Sequence, residues 1–152
     1  MKKKTTSAIA LLLLAVLIGC HSATPSLTTV DEFSSVFRAA YDSGDKDAIG
    51  NMFDWTDVDS EVRELQLAMV TVFLGENKIT DISVAPFDPN TPKNPVNGRE
   101  IELNIAPTHM FSIEHKGNAG FEGGESSGTA TMPIGQKNGR YYFCGWTYKE
   151  SQ

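Results

Sequence analysis

The stretch Phe37-Arg38-Ala39-Ala40-Tyr41-Asp42-Ser43-Gly44-Asp45-Lys46-Asp47-Ala48-Ile49 decides how the chain is read. Gly44 stops a helix, because glycine enters the left-handed C-cap conformation without a steric penalty. Asp45 restarts one, because its carboxylate accepts from the free N–H groups of a new first turn. Upstream, Phe33, Val36, Phe37, Ala40 and Tyr41 recur on one helical face, behind the capping-box pattern Thr29-x-x-Glu32. A first helix is therefore expected over 30–43. Downstream, Ala48, Ile49, Met52 and Phe53 form the apolar side of a second, short helix.

A third helix is expected over 60–74, capped by Asp59 or Ser60 and stopped near Gly75. Val62, Leu65, Met69, Val72 and Phe73 make its main stripe. Leu67, Val70 and Leu74 widen that stripe, which predicts burial on more than one side.

The pattern then changes period. Strands are expected over 79–85, 100–105, 110–115 and 129–134, with an aromatic last strand over 140–148 lying centrally in the sheet. Pro89, Pro92 and Pro95 make 88–98 a loop. Five glycines make 117–128 a second loop, and Asn138-Gly139 predicts a type I′ hairpin turn. Helices followed by four or five antiparallel strands give an α+β domain, its helices on one face of a curved sheet.

The stretch quoted first resembles the opening of NTF2-like domains, in which a helix ends in an alanine-rich turn, meets Gly-Asp and restarts as a short helix. The closing Gly128-Thr129-Ala130-Thr131-Met132-Pro133 and Asn138-Gly139-Arg140-Tyr141-Tyr142 also resemble the last strands of that cone-shaped fold. The six residues 54–59 leave little room for the strand that such domains place between the second and third helices. A cystatin-like or otherwise truncated helix-on-sheet fold is the rival. The resemblance implies an architecture shared by isomerases, dehydratases and transport factors, so it selects no single function.

The N-terminus has a separate meaning. Lys2, Lys3 and Lys4 precede an apolar run over 8–18, and small Gly19 precedes Cys20. A charged start, an apolar middle and a small-residue cleavage point form an export signal. The twelve residues 8–19 fall short of the roughly 20 a membrane span needs. Leu17-Ile18-Gly19-Cys20 resembles the lipobox of bacterial lipoproteins, the alternative being a plain secretory signal. That resemblance implies cleavage before Cys20, diacylglyceryl transfer to its thiol and acylation of the new N-terminus. Because His21 rather than aspartate follows, it also implies an outer-membrane or periplasmic-face destination in the cell envelope. The expected organisation is a signal helix over 1–19, a polar tether over 20–27 and one domain over 28–150.

Charge narrows the partners. The chain carries 13 basic and 19 acidic residues, and signal removal takes away three of the basic ones. Residues 31–64 hold ten acids against Arg38, Lys46 and Arg63. Without a basic stripe, nucleic acid is not an expected partner. The expected partners are a membrane, through the anchor, and a small molecule or protein of unspecified kind.

No catalytic arrangement stands out. Asp54, Asp57, Asp59 and Glu61 cluster, but an EF-hand loop starting at Asp57 would need glycine at Val62 and glutamate at Ala68. Asp57 and Asp59 are expected to cap the third helix instead, and neither a metal nor a cofactor is expected. Cys144 reads as a small buried hydrophobe. Trp55, Tyr141, Trp146 and Phe121 are the candidate ligand-binding residues, as aromatics able to line a pocket. The expected function is a non-catalytic binding or interaction module. The alternative is a small isomerase or hydrolase pairing His109 or His115 with Asp81 or Glu102 inside the cone. A purely structural role in the envelope is a third reading.

Overall fold

The computed structural model describes residues 26–91, 95–119 and 124–149. Helices α1 (Val30–Ser43) and α2 (Lys46–Gly50) lead into a short strand β1 (Phe53–Asp54) and helix α3 (Ser60–Glu76). Strands β2 (Asn77–Pro86), β3 (Ile101–Leu103), β4 (Pro107–Ala119), β5 (Gly124–Lys137), β6 (Arg140–Cys144) and β7 (Trp146–Tyr148) follow. Five of them form a curved sheet in the order β1-β6-β5-β4-β2, while β3 and β7 form a separate ribbon. Among the described residues, no helix is long and apolar enough to cross a membrane.

The helix signals act locally as expected. Thr29 Oγ1 accepts from Glu32 N at 3.2 Å, and Glu32 Oε2 accepts from Thr29 N at 3.1 Å, which closes the capping box. The Thr28 hydroxyl and N–H also donate to Glu32, each at 2.9 Å. These bonds, led by the Thr28 hydroxyl, hold the Glu32 carboxyl below its ordinary range. Gly44 sits at φ 68°, and Asp45 Oδ1 accepts from Ala48 N at 2.9 Å. The buried face of α1 is Phe33, Phe37, Ala40 and Tyr41. At the end of the helix the Tyr41 hydroxyl donates to Asn77 O at 2.6 Å, which ties α1 to the start of β2.

The core is built on four fully buried rings, Phe33 and Phe37 from α1, Phe111 from β4 and Phe143 from β6. They meet edge to face. Phe33 lies 4.8 Å and Phe37 5.5 Å from Phe143, and Phe111 stands at 90° to it. Ile113, Ile134, Ile49 and Met52 complete the packing. The helix-on-sheet arrangement thus follows from one apolar stripe meeting one sheet face.

Several expectations need correction. The sheet is not wholly antiparallel, because the chain leaving α2 runs alongside β6 in the same direction. Phe53 pairs with Phe143, and Phe143 N donates to Met52 O at 2.8 Å. The short segment before α3 therefore does hold a strand. The aromatic strand expected over 140–148 breaks at Gly145, and its second half leaves the sheet to pair with β3. Its first half lies one place from the edge, because β1 covers it and β5 takes the centre. The strand expected over 100–105 shortens to β3, which pairs only with β7.

In the glycine-rich segment expected as a loop, residues 117–119 and 124–128 are ladder, with Gly117 opposite Ser126 and Ala119 opposite Gly124. Ladder bonds are made by the main chain, so glycine weakens a strand without forbidding it. Gly128 also fits sterically, since a Cβ there would lie 3.0 Å from His115 Nε2.

Among the residues of α3 with described side chains, only Val62 and Gln66 are buried, and Met69 is 56% exposed. Over 60–71 the buried row is Val62 and Gln66 with half-buried Val70 beyond them, and half-buried Leu67 lies on a second side against Gly50; the side chains of 72–76 lie outside the described residues. Asp59 occupies the N-cap of α3 but makes no capping hydrogen bond, and Asp57 adopts φ 59°. Leu27, read from sequence as the end of the tether, is 1% exposed in the core, and its carbonyl accepts from Tyr141 N at 2.8 Å.

Candidate functional site

A cavity of about 230 Å³ lies between α3, the β3–β7 ribbon and the sheet. Helix α3 supplies Gln66, Met69 and Val70, and the ribbon supplies Ile101, Leu103 and Trp146. Strand β5 adds Thr131, Met132 and Pro133, and the floor is Phe53 and Cys144. The break at Gly145 makes this wall possible, because it swings Trp146 out of the sheet and over to β3. Trp146 is 8% exposed, and its main-chain N–H donates to Gln66 Oε1 at 3.4 Å. Burial, with a smaller contribution from the Asp54 carboxylate, pushes the Cys144 thiol up to about 12. That thiol stays protonated at neutral pH and is no nucleophile.

Beside the floor lies a polar joint. Asp54 is 6% exposed, and its carboxylate pairs with Lys137 Nζ at 2.8 Å and accepts from Thr56 N at 2.8 Å. Lys137 Nζ also donates to Thr56 Oγ1 at 2.6 Å. Asn104 Nδ2 donates to Asp54 O at 2.7 Å and to Thr56 O at 3.0 Å. These bonds lock the segment before α3 to the β5–β6 hairpin and to the end of β3. Burial pulls the Asp54 carboxyl upward, but the Lys137 and Thr56 hydrogen bonds and the Lys137 charge outweigh it. The net value lies below the ordinary 3.8.

Lowering the folded value makes the pair's stabilisation complete above the ordinary aspartate range and removes it as pH falls through the folded value. Asp54→Asn should therefore cost about 1–2 kcal/mol at pH 7, less than a fully buried pair because Lys137 is partly solvated. Urea unfolding of both proteins across an acid series checks this. The gap should shrink below pH 3.8; a gap independent of pH would rule the pairing out.

The sequence candidates separate. Trp146 lines the cavity. Trp55 stacks on Phe53 at 4.7 Å and donates from Nε1 to Gly50 O at 2.9 Å, behind the cavity floor. Tyr141 packs against the core at the far end of β6, 5.8 Å from the His109 ring. Phe121 and Cys20 lie outside the described residues.

His109 Nδ1 meets Thr108 Oγ1 at 3.0 Å, and His115 Nδ1 meets Asn77 Oδ1 at 3.2 Å. Both histidines lie on one face of a continuous β4, as their spacing suggested. Asp81 pairs in register with Glu114, so it projects from the opposite face to His115. Glu102 lies on the separate ribbon. Among the described residues, no group of three or more His, Cys, Asp or Glu lies together as a metal site.

Sequence reasoning missed Gln66, Leu103 and Ile101. Gln66 carried a signal: it is the polar residue between Val62 and Val70 on an otherwise apolar row of its helix. The partners of Leu103 and Ile101 depend on the Gly145 break, which the sequence did not announce.

No family model and no curated protein matches this chain. Solved structures to which it is similar include a SEC-C motif containing protein from Rhodopseudomonas palustris. The two are 17% identical, with 82% of each chain covered and a TM-score of 0.45. A designed NTF2-like protein is 14% identical over 78% of this chain and 95% of its own, with a TM-score of 0.42.

Proposed function

We propose that this chain is a lipid-anchored cell-envelope module of NTF2-like fold. Its domain binds a small, largely apolar molecule between α3 and the β3–β7 ribbon and does no chemistry on it. The observation that carries the binding half is the cavity itself. Its walls are mostly carbon, with Trp146 as an aromatic side and, among the described residues, neither a histidine nor a carboxylate in the lining. Apolar cavities of about 150 Å³ already admit benzene, so this one has room for a monocyclic body or a short branched chain. The fold assignment is supported by the Gly44–Asp45 helix junction and by helices laid on a curved five-stranded sheet. The anchor is supported by Leu17-Ile18-Gly19-Cys20 behind three lysines.

The binding half is tested by titrating toluene and following the methionine ε-methyl NMR signals. Met69 and Met132, which line the cavity, should shift, while Met110, outside the lining, should not. Shifts absent from Met69 and Met132 would end this reading. The anchor half is tested by labelled-palmitate incorporation in cells. The label should vanish in Cys20→Ser, and its persistence there would refute lipidation at that thiol.

A further inference from the structure

Among the described lining residues the polar side-chain groups are the Gln66 carboxamide, the Thr131 hydroxyl, the Cys144 thiol and the Trp146 indole N–H. Gln66 is 6% exposed and lies in the lining between Val70 and Trp146. Its Oε1 is occupied by the Trp146 main-chain N–H at 3.4 Å. Among the described residues, Nε2 donates to no protein acceptor. A carboxamide nitrogen carries two donors, and Gln66 Nε2 is not among the fully buried partnerless polar atoms, so this donor is within reach of the space the chamber encloses. Thr131, the other hydroxyl- or amide-bearing residue of the lining, is exposed at the rim. Among the described residues no lysine, arginine or histidine lines the chamber, and the Asp54 carboxylate, whose charge is felt at Cys144 on the floor, is negative.

We infer that the ligand of this cavity is a neutral molecule with an apolar body and one hydrogen-bond acceptor, a ketone, ester or amide carbonyl, received by Gln66 Nε2. The inference rests on the binding reading above and adds the ligand's chemical class. A hydrocarbon such as toluene can enter the chamber, but it binds less tightly than a carbonyl compound of the same shape, because it leaves the amide donor without an acceptor. A carbonyl satisfies it while the rest of the molecule meets Leu103, Val70 and Trp146. A carboxylate would satisfy it too, but would give up its hydration in a chamber without a cation. The Asp54 charge felt at Cys144 acts in the same direction.

The test compares three probes of similar shape on the full acylated chain in lipid nanodiscs. They are acetophenone, α-methylstyrene, which replaces C=O by C=CH₂, and benzoate. Free aqueous concentrations are fixed by dialysis, and binding is read from the Met69 and Met132 methyl signals. Comparing the wild type with Gln66→Met cancels each probe's own hydrophobicity. Gln66→Met should weaken acetophenone roughly three- to tenfold, the worth of one net hydrogen bond, and should not weaken α-methylstyrene.

Equal loss for both probes would overturn the role of Gln66 while leaving the cavity as a binding site. Benzoate binding as tightly as acetophenone would overturn the neutral class. Failure of every probe to shift the two methyls would overturn the binding reading itself. If Gln66→Met does not fold, the infrared carbonyl stretch of acetophenone bound to the wild type decides. A shift to lower frequency than in an apolar solvent supports the inference, and an unshifted band refutes it.

Discussion

Phe143→Ala should destabilise the domain by about 3–5 kcal/mol, the range for emptying a buried aromatic site. Phe143 is 1% exposed and is the ring on which the core converges. It touches Phe33 and Phe37 from α1, Phe111 from the middle of the sheet and Phe53 from β1. Removing it takes away four ring contacts at once, each worth about 0.5–1.5 kcal/mol beyond area burial. The hole cannot close easily, because the neighbouring rings come from three elements fixed by main-chain ladders and a capped helix. Urea unfolding followed by circular dichroism gives the number. Phe143→Leu keeps most of the volume and should cost clearly less. A loss below about 1 kcal/mol for Phe143→Ala would mean that the four rings do not pack as described.

The second large effect is expected at Gly145. A Cβ there would lie 2.7 Å from Asp54 O and 2.7 Å from Val58 Cγ2, with Asn104 Nδ2 at 3.2 Å. The oxygen is backbone and is already held by Asn104, so it cannot swing away as a flexible side-chain end would. Gly145→Ala should cost about 1–3 kcal/mol, the range for overpacking. Its consequences extend to the cavity, because Gly145 is the point at which the chain turns Trp146 onto the β3 ribbon. Toluene binding should weaken in this variant even at temperatures where it stays folded. Normal stability together with normal binding would show that the close approach is not real.

These two positions also show what was legible in the sequence. The helices were, because their signals are local. Thr29 and Glu32 cap each other within one turn, and Gly44 and Asp45 stop and restart the chain without reference to anything distant. The hairpin at Asn138-Gly139 is of the same kind, with φ of 53° and 76° at its two central residues. The core was legible as far as one period could show it: Phe33 and Phe37 on a helical face, Phe111 and Ile113 on a strand face.

What the sequence hid was set by close approaches between distant segments. Nothing near Gly145 announces that Asp54, Val58 and Asn104 crowd it, so a nine-residue strand was the natural expectation. The parallel pairing of Phe53 with Phe143 spans most of the domain and leaves no periodic trace in two residues. The cavity inherits that difficulty. Trp146 was a sound candidate because it is a large aromatic on the last strand. Gln66 interrupted one apolar row of its helix, but its burial became evident only once Trp146 was placed across from it. Trp55 and Tyr141 share the chemistry of Trp146, yet a stacked ring behind Phe53 and a core contact beside His109 give them other work.

Xenon pressurisation of a crystal of the chain separates an open chamber from a filled core. Xenon enters apolar cavities that stay open and leaves filled cores empty. A xenon site bounded by Val70, Leu103 and Trp146 is expected. Diffraction showing that space closed by side chains, with no xenon in it, would contradict the claim that this domain is built to hold a ligand.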